Sequence, residues 1–209
     1  MLIMGPKCSF SRRLTYQLID PAMMSAGLIQ LRQALCHHRI NHEWAALRAG
    51  VDGESLLENM NTYRQLSDLQ ALVAGILGTS EWLDIDQARI DQFAAVTGDR
   101  QWIHVDPVRA AAGPFGTTVA HGYLTLSLVP VMVQSAFSIG DVRMSVNYGL
   151  NRVRFPAPVP VQSRVRGHFK LMSFEPIAGG AQVVTEVSVE REGQSKPVCV
   201  AEAVARHFL

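Results

Sequence analysis

Two periodicities divide this chain. Up to about residue 137 apolar residues recur at helical spacing, and after Gly140 they alternate with polar ones. In residues 22–48, Leu28, Leu31, Leu35 and Ile40 fall roughly on one helical face, and Val51-Asp52-Gly53-Glu54 reads as a turn. A new segment opens at Met60-Asn61-Thr62-Tyr63. The pattern predicts a helix from Ser67 to about Ile76, with Asp68 in its first turn and Gly78 closing it. Residues 82–85 alternate as a strand. Asp86 then caps a helix that carries Ile90, Phe93, Ala94 and Val96 on one side and ends at Thr97-Gly98. Asp106-Pro107 is a second cap, and Gly113-Pro114 stops that helix after two turns. Residues 122–137 are apolar on nearly every side, which predicts a central buried helix kinked at Pro130.

The period-two region contains five predicted strands: Arg143 to Tyr148, Arg152 to Phe155, Val161 to Met172, Gln182 to Arg191 and Val198 to Phe208. Turns are expected at Gly149, Pro156/Pro158, Gly179-Gly180 and Gly193. Thr185, Val187 and Val189 point one way and Glu186, Ser188 and Glu190 the other, as in a sheet with one wet face. A long helix followed by consecutive antiparallel strands is an α+β arrangement. Residues 60–209 read as one domain. Residues 1–59 read as an N-terminal helical extension without a continuous apolar face. Its histidines (His37, His38, His42) have no matching ligand set, so it is expected to be non-catalytic and to add little to the core.

Composition narrows the function classes. The 209 residues suit one ordinary domain plus an extension, and 48% apolar content suits a folded core. Nineteen basic residues against eighteen acidic leave a net charge of +1, too little for a field that would attract nucleic acid. Cys8, Cys36 and Cys199 are scattered and odd in number, which points to a reducing compartment. The start lacks the apolar core of a secretion signal, and residues 122–137 are too short to span a bilayer. A soluble, cytoplasmic protein without a membrane span is the expectation.

The chemistry concentrates in one place. Asp99 follows Thr97-Gly98 directly, His104 lies five positions on, and Val119-Ala120-His121-Gly122 opens the long apolar run. An acid and a base on one short non-helical segment, followed by a glycine at the mouth of a buried helix, are parts for proton transfer beside a carbonyl. The Gly122 N–H at the helix start would stabilise developing negative charge. In isolation Asp99 would more often be a turn or cap residue and His104 a surface histidine. The two motifs together favour chemistry. For His121 a structural role, orienting the loop or packing at the helix start, is preferred. His104, Asp106 and His121 lack the ligand spacing of a metal site.

These residues carry a resemblance. Thr97-Gly98-Asp99 with His104, the Asp106-Pro107 that follows, the run from Gly113 to Gly122, and Arg154-Phe155-Pro156-Ala157-Pro158-Val159 together resemble the MaoC-like, R-specific enoyl-CoA hydratase family. The match is nearest its nodulation-protein-N-like branch and covers residues 62–208. The resemblance implies a hot-dog fold, an antiparallel sheet wrapped around a long central helix. It also implies syn addition of water to a trans-2-enoyl-CoA, giving the (3R)-hydroxyacyl product. Asp99 and His104 would hold one water, and either could donate the C2 proton. Gly122 would bind the thioester oxygen and let the thioester come close. Neither a metal nor a separate cofactor is required, because CoA is part of the substrate. The family pattern Asp-x-Asn-Pro-x-His departs here at Gln101 and Trp102, which with His121 are expected to shape the pocket. Two alternatives keep the ligand: a hot-dog acyl-CoA thioesterase, and a non-catalytic acyl-CoA-binding subunit. The edge strands of one such unit imply a homodimer joined sheet to sheet.

One region is unevenly charged. No acid occurs between Val142 and Phe174, yet Arg143, Arg152, Arg154, Arg164, Arg166 and Lys170 do. Arg152/Arg154 and Arg164/Arg166 are spaced by two, so each pair leaves one face of its strand. A solvated sheet face is the ordinary reading, and Arg152 and Arg154 are candidates for the CoA phosphates.

Overall fold

The computed structural model describes residues 60–209, and the expectations for residues 1–59 fall outside them. Strand β1 (Asn61–Tyr63) is followed by a 3-10 helix (Leu66–Leu72), β2 (Ile76–Thr79) and β3 (Leu83–Ile85). Helices α1 (Gln87–Thr97), α2 (Trp102–Val105), α3 (Pro107–Ala111), α4 (Gly122–Ser127) and α5 (Val129–Ala136) come next. The chain then runs through β4 (Phe137–Ile139), β5 (Met144–Arg154), β6 (Ser163–Ile177), β7 (Gly180–Arg191) and β8 (Cys199–Phe208). The main sheet is antiparallel in the order β2-β6-β7-β8-β5, with β3 also paired to β6. β1 and β4 form a small parallel pair. Helix α5 lies against β2 and β6, and α4 reaches β8, so the sheet curls around the two helices as a hot-dog fold does.

Period two selects the inner face. Val165, Phe169 and Leu171 of β6, Val183, Val187 and Val189 of β7, and Cys199 and Ala201 of β8 are buried together with Met132 and Ala136 of α5. The polar partners of these residues in the alternation occupy the outer face, as the sequence pattern requires.

Five expectations are corrected. The helix predicted from Ser67 to Ile76 is a 3-10 helix ending at Leu72, and Ile76 and Gly78 belong to β2. The long central helix is two helices that meet at Leu128. Pro130 sits in the first turn of α5, where its missing N–H costs nothing, so it starts a helix instead of kinking one. That helical pair is not buried on every side: Tyr123 and Val131 are exposed, as is Val96 on α1. Finally, Gly149 is no turn. β5 runs through it with register shifts between Asn147 and Gly149 and between Leu150 and Arg152. Each bulge breaks the alternation, which is why one strand reads as two.

Helix and sheet cross closely at Gly78. A Cβ there would lie 2.3 Å from the carbonyl oxygen of Ala136, the last residue of α5. Backbone cannot step aside as a flexible side chain can, so β2 tolerates only glycine at this crossing. Gly78→Ala is expected to cost about 1–3 kcal/mol, the usual range for overpacking a closed core. Urea denaturation checks this, and an unchanged midpoint would contradict the crossing described.

Candidate active site

Capping sets the entrance to the site. The Asp86 carboxylate accepts from the Arg89 N–H at 2.8 Å and starts α1. Gly98 ends it in the left-handed region (φ 78°) with its N–H on the Ala94 carbonyl. The chain therefore leaves α1 sharply at Asp99, which is exposed. Two residues on, the backbone coils into the single turn of α2, so His104 is helical and buried, where a non-helical segment was expected. Asp106 caps α3 through the Arg109 N–H at 3.0 Å, as predicted.

The second motif is held by a strand-like pairing. Ala120 N–H donates to Val159 at 2.7 Å, and Val161 N–H donates to Thr118 at 2.9 Å. Val119 N–H donates to Ile103 at 3.0 Å, which ties the loop to α2. This frame presents the Val119 carbonyl to His104, whose Nδ1–H donates to it at 2.6 Å. A carbonyl can only accept, so in the neutral ring Nδ1 carries the hydrogen and Nε2 the lone pair.

His121 is buried beside His104. The two rings stack with centroids 3.7 Å apart and planes 26° from parallel, and Phe93 of α1 backs His121 at 5.1 Å. His121 Nε2–H donates to the backbone carbonyl of Asp99 at 2.9 Å, and its Nδ1 is buried without a partner. One ligand atom from each of Asp99, His104 and His121 lies within 4.8 Å of the others. Burial, the stacked His121 and the Val119 and Asp99 contacts all act on His104. Burial dominates and lowers its pKa below the ordinary 6.5.

The structure thus brings Asp99, His104 and His121 together and puts Gly122 next to them at the start of α4. The space above Gly122 is occupied by a protein ring: a Cβ there would lie 2.8 Å from the Phe155 ring, which meets Tyr123 edge-on at 5.7 Å. The glycine therefore accommodates Phe155 where close approach of a thioester was expected. Gln101 is exposed at the N-cap position of α2. Trp102 packs on Gly113 and under the Arg109 guanidinium, 4.6 Å from its ring centroid. The arginine-rich strands are largely neutralised across the sheet. Arg166 pairs with Glu190, Arg164 with Glu192 at 3.0 Å and Asp84 at 3.7 Å, and Arg152 with Glu202 at 3.7 Å. Arg154 has no carboxylate within ion-pair distance among the described residues, and its guanidinium donates to the Val153 carbonyl at 2.7 Å.

A family model described as a MaoC-like domain matches residues 69–193. The chain belongs to the MaoC-like dehydratase family. It is 49% identical over 149 residues to 3-hydroxyacyl-thioester dehydratase Z of Mycobacterium tuberculosis, covering 71% of this chain and 99% of that protein. It is 47% identical over 140 residues to nodulation protein N of Rhizobium leguminosarum bv. viciae, covering 65% of this chain and 86% of that one. R-hydratase PhaJ1 from Pseudomonas aeruginosa shares the fold, with a TM-score of 0.57 at 21% identity, over 70% of this chain and 86% of its own.

In this MaoC-like chain the Asp99/His104/His121 cluster is dense enough to raise the question of a metal. The ring geometry does not fit one. Imidazole lone pairs lie in the ring plane, and two nearly parallel planes 3.7 Å apart direct them side by side. They do not converge on one ion about 2 Å from both nitrogens. Sequence reasoning missed Gln87, whose amide donates to the His104 carbonyl at 2.8 Å and whose Oε1 accepts from Thr118 at 2.6 Å. It also missed Phe93 as the back of the site and Val119 as the acceptor that fixes the His104 tautomer. Gln87 follows the capping Asp86 and carries no pattern of its own. Val119 acts through its backbone, where identity leaves no mark.

His104 and His207 both have their pKa lowered by burial. Below about pH 6.5 the unfolded chain binds protons that the folded one refuses, so stability present above 6.5 is lost as pH falls toward the lower folded values. The urea midpoint is expected to be lower at pH 5.5 than at 7.5, with a smaller difference in His104→Gln. An identical pH dependence in that variant would contradict the burial assigned to His104.

Proposed function

We propose that this protein is an (R)-specific enoyl-CoA hydratase, and in the reverse direction a (3R)-hydroxyacyl-CoA dehydratase. The observation that carries this reading is the His104 lone pair. It is fixed in a neutral ring by the Val119 carbonyl and lies in one cluster with the Asp99 carboxylate. The dehydratase name of the 49% identical relative supports the same reaction class.

The step balances with one water and no other reagent. Asp99 and His104 hold the water, and His104 Nε2 takes one of its protons as the oxygen bonds to C3. The C2–C3 π electrons move toward the thioester oxygen, where the Gly122 N–H at the start of α4 is the donor. His104 then returns the proton to C2 as the carbonyl re-forms. Because one imidazole removes and returns the proton, both additions occur on one face, which is syn hydration. Asp99 stabilises the imidazolium between the two transfers. Arg154, which has no ion-pair partner among the described residues, suits a CoA phosphate better than Arg152, which already faces Glu202. No helix among the described residues is long and apolar enough to cross a membrane. The scattered cysteines support a cytoplasmic setting.

The proposed unit is a homodimer. β5 is an edge strand, and Met144, Val146, Tyr148 and Leu150 along it are exposed apolar residues. An open, apolar edge of this length is normally covered, and a second copy pairing across a two-fold axis covers it. Light scattering at micromolar concentration is expected to give twice the 23.0 kDa chain mass. A monomer would contradict the pairing.

The reaction is tested with crotonyl-CoA. Absorbance of the enoyl thioester should fall on adding protein without release of free thiol. Thiol release would point to a thioesterase, and tight CoA binding with neither signal to a binding subunit. Asp99→Asn and His104→Gln should each reduce hydration by roughly a hundredfold or more, the range for a positioned acid or base. Turnover within tenfold of the parent in either folded variant would remove the role given to that residue.

A further inference from the structure

Asp99 and His104 are the reacting groups in the proposed hydration, and the following inference rests on that reading. A single side chain outside the pair touches both. His121 bonds to the backbone of Asp99 at 2.9 Å and stacks on His104 at 3.7 Å. We propose that His121 is a positioning residue of the hydration, an imidazole that fixes where the carboxylate and the base stand and takes no part in the proton transfer between water and substrate.

The tautomer follows from its partners. Nε2 faces a carbonyl, which only accepts, so the ring hydrogen is on Nε2. Nδ1 is shielded from solvent and has no partner. His121 therefore has its one hydrogen already committed to the Asp99 carbonyl. It has nothing to give the substrate and no accessible site at which to receive a proton.

What it can do is hold. Asp99 is exposed and follows a glycine in the left-handed region. Its other local contacts are two long turn bonds, from its N–H to Thr97 Oγ1 and from the Gln101 N–H to its Oδ1, each at 3.4 Å. The bond from His121 is shorter and comes from a distant part of the chain, so it is the tie between Asp99 and the body of the fold. His104 is fixed at one edge by Val119, and a ring held at one edge still rocks about that bond. Face contact with His121, itself backed by Phe93, removes that freedom. The titratable groups bearing on His104 are His121 and Asp99, and α1 adds only the uncharged Phe93 and Gln87. His121 also occupies the N-cap position of α4, directly before Gly122. One residue thus sets the relative positions of acid, base and amide donor.

Two variants of the full chain separate tether from stack. His121→Phe keeps a ring against His104 and loses the bond to Asp99. His121→Gln keeps an amide donor and loses the stack. In His121→Phe, kcat for crotonyl-CoA hydration is expected to fall roughly tenfold to a hundredfold, the scale of a misplaced reacting group, with KM within threefold. His121→Gln should recover part of that loss. A packing role alone would lower the melting temperature of both and leave kcat per folded molecule within threefold of the parent, which overturns the proposal. Long-range 1H–15N imidazole spectra of the parent give a second test that does not use activity. His121 is expected as the Nε2–H tautomer at pH 8, and His104 as the Nδ1–H tautomer. A His121 ring that carries its hydrogen on Nδ1 overturns the proposal even if neither variant folds. A parent that shows these tautomers but does not hydrate crotonyl-CoA would instead overturn the hydration reading.

Discussion

The contact on which this site depends is between two buried imidazoles, each of which gives its one hydrogen to a backbone carbonyl. Val119 takes the hydrogen of His104 and Asp99 takes that of His121, and the rings lie face to face. A carbonyl acceptor is rigid, cannot ionise and belongs to the chain rather than to a side chain. Tautomer and orientation are therefore set by where the backbone goes. That makes the strand-like pairing of residues 118–120 with residues 159–161 part of the chemistry, because it fixes the Val119 oxygen. It also makes Gly98 part of it, because the left-handed turn there brings the Asp99 oxygen back toward His121.

A stiff sheet under this arrangement is a requirement, since two rings in contact transmit any shift of their supports. The helices that flank the site are short, and most of their order comes from tertiary packing. α5 is seated by Met132 and Ala136 in the core and by the backbone crossing at Gly78, where there is no room for even a methyl group. α4 and α5 meet at the half-buried Leu128, and Pro130 lies in the first turn of the second helix, where a proline is tolerated. The division into two helices lets the chain change direction while keeping Gly122 at one end and the Gly78 crossing at the other.

The fold class was legible because period two and period 3.6 are separated along this chain, and because Asp86, Asp106 and Gly98 announce their caps. The errors have a common cause. At β5 the bulges near Tyr148 and Asn151 move the alternation from one face to the other, so a continuous strand loses its signature exactly where it bends. At residues 122–137 uniform apolarity could not distinguish one helix from two, nor a face covered by protein from one left open at Tyr123 and Val131. Of the site, Asp99 and His104 were readable from their motif, whereas the stack of His121 was not. Contact between residues 104 and 121 depends on the path of the intervening loop. The acid-free run of arginines shows the same limit. The carboxylates that neutralise it, Glu190, Glu192, Glu202 and Asp84, lie on other strands, and only the sheet register brings them opposite.

That register also sorts the two faces by task. Arg164, Arg166 and His168 on the outer face are engaged by Glu190, Glu192 and Trp82, the tryptophan ring lying 4.4 Å from Arg166 and 5.5 Å from Arg164. The two arginines are held by these carboxylates and that ring, and leave little field beyond the surface. At the end of β5 the pattern stops: Arg154 has only its own strand's carbonyl, and the next residue, Phe155, lies over Gly122. Arg154, without an ion-pair partner among the described residues, is thus one residue from the ring that covers the start of α4.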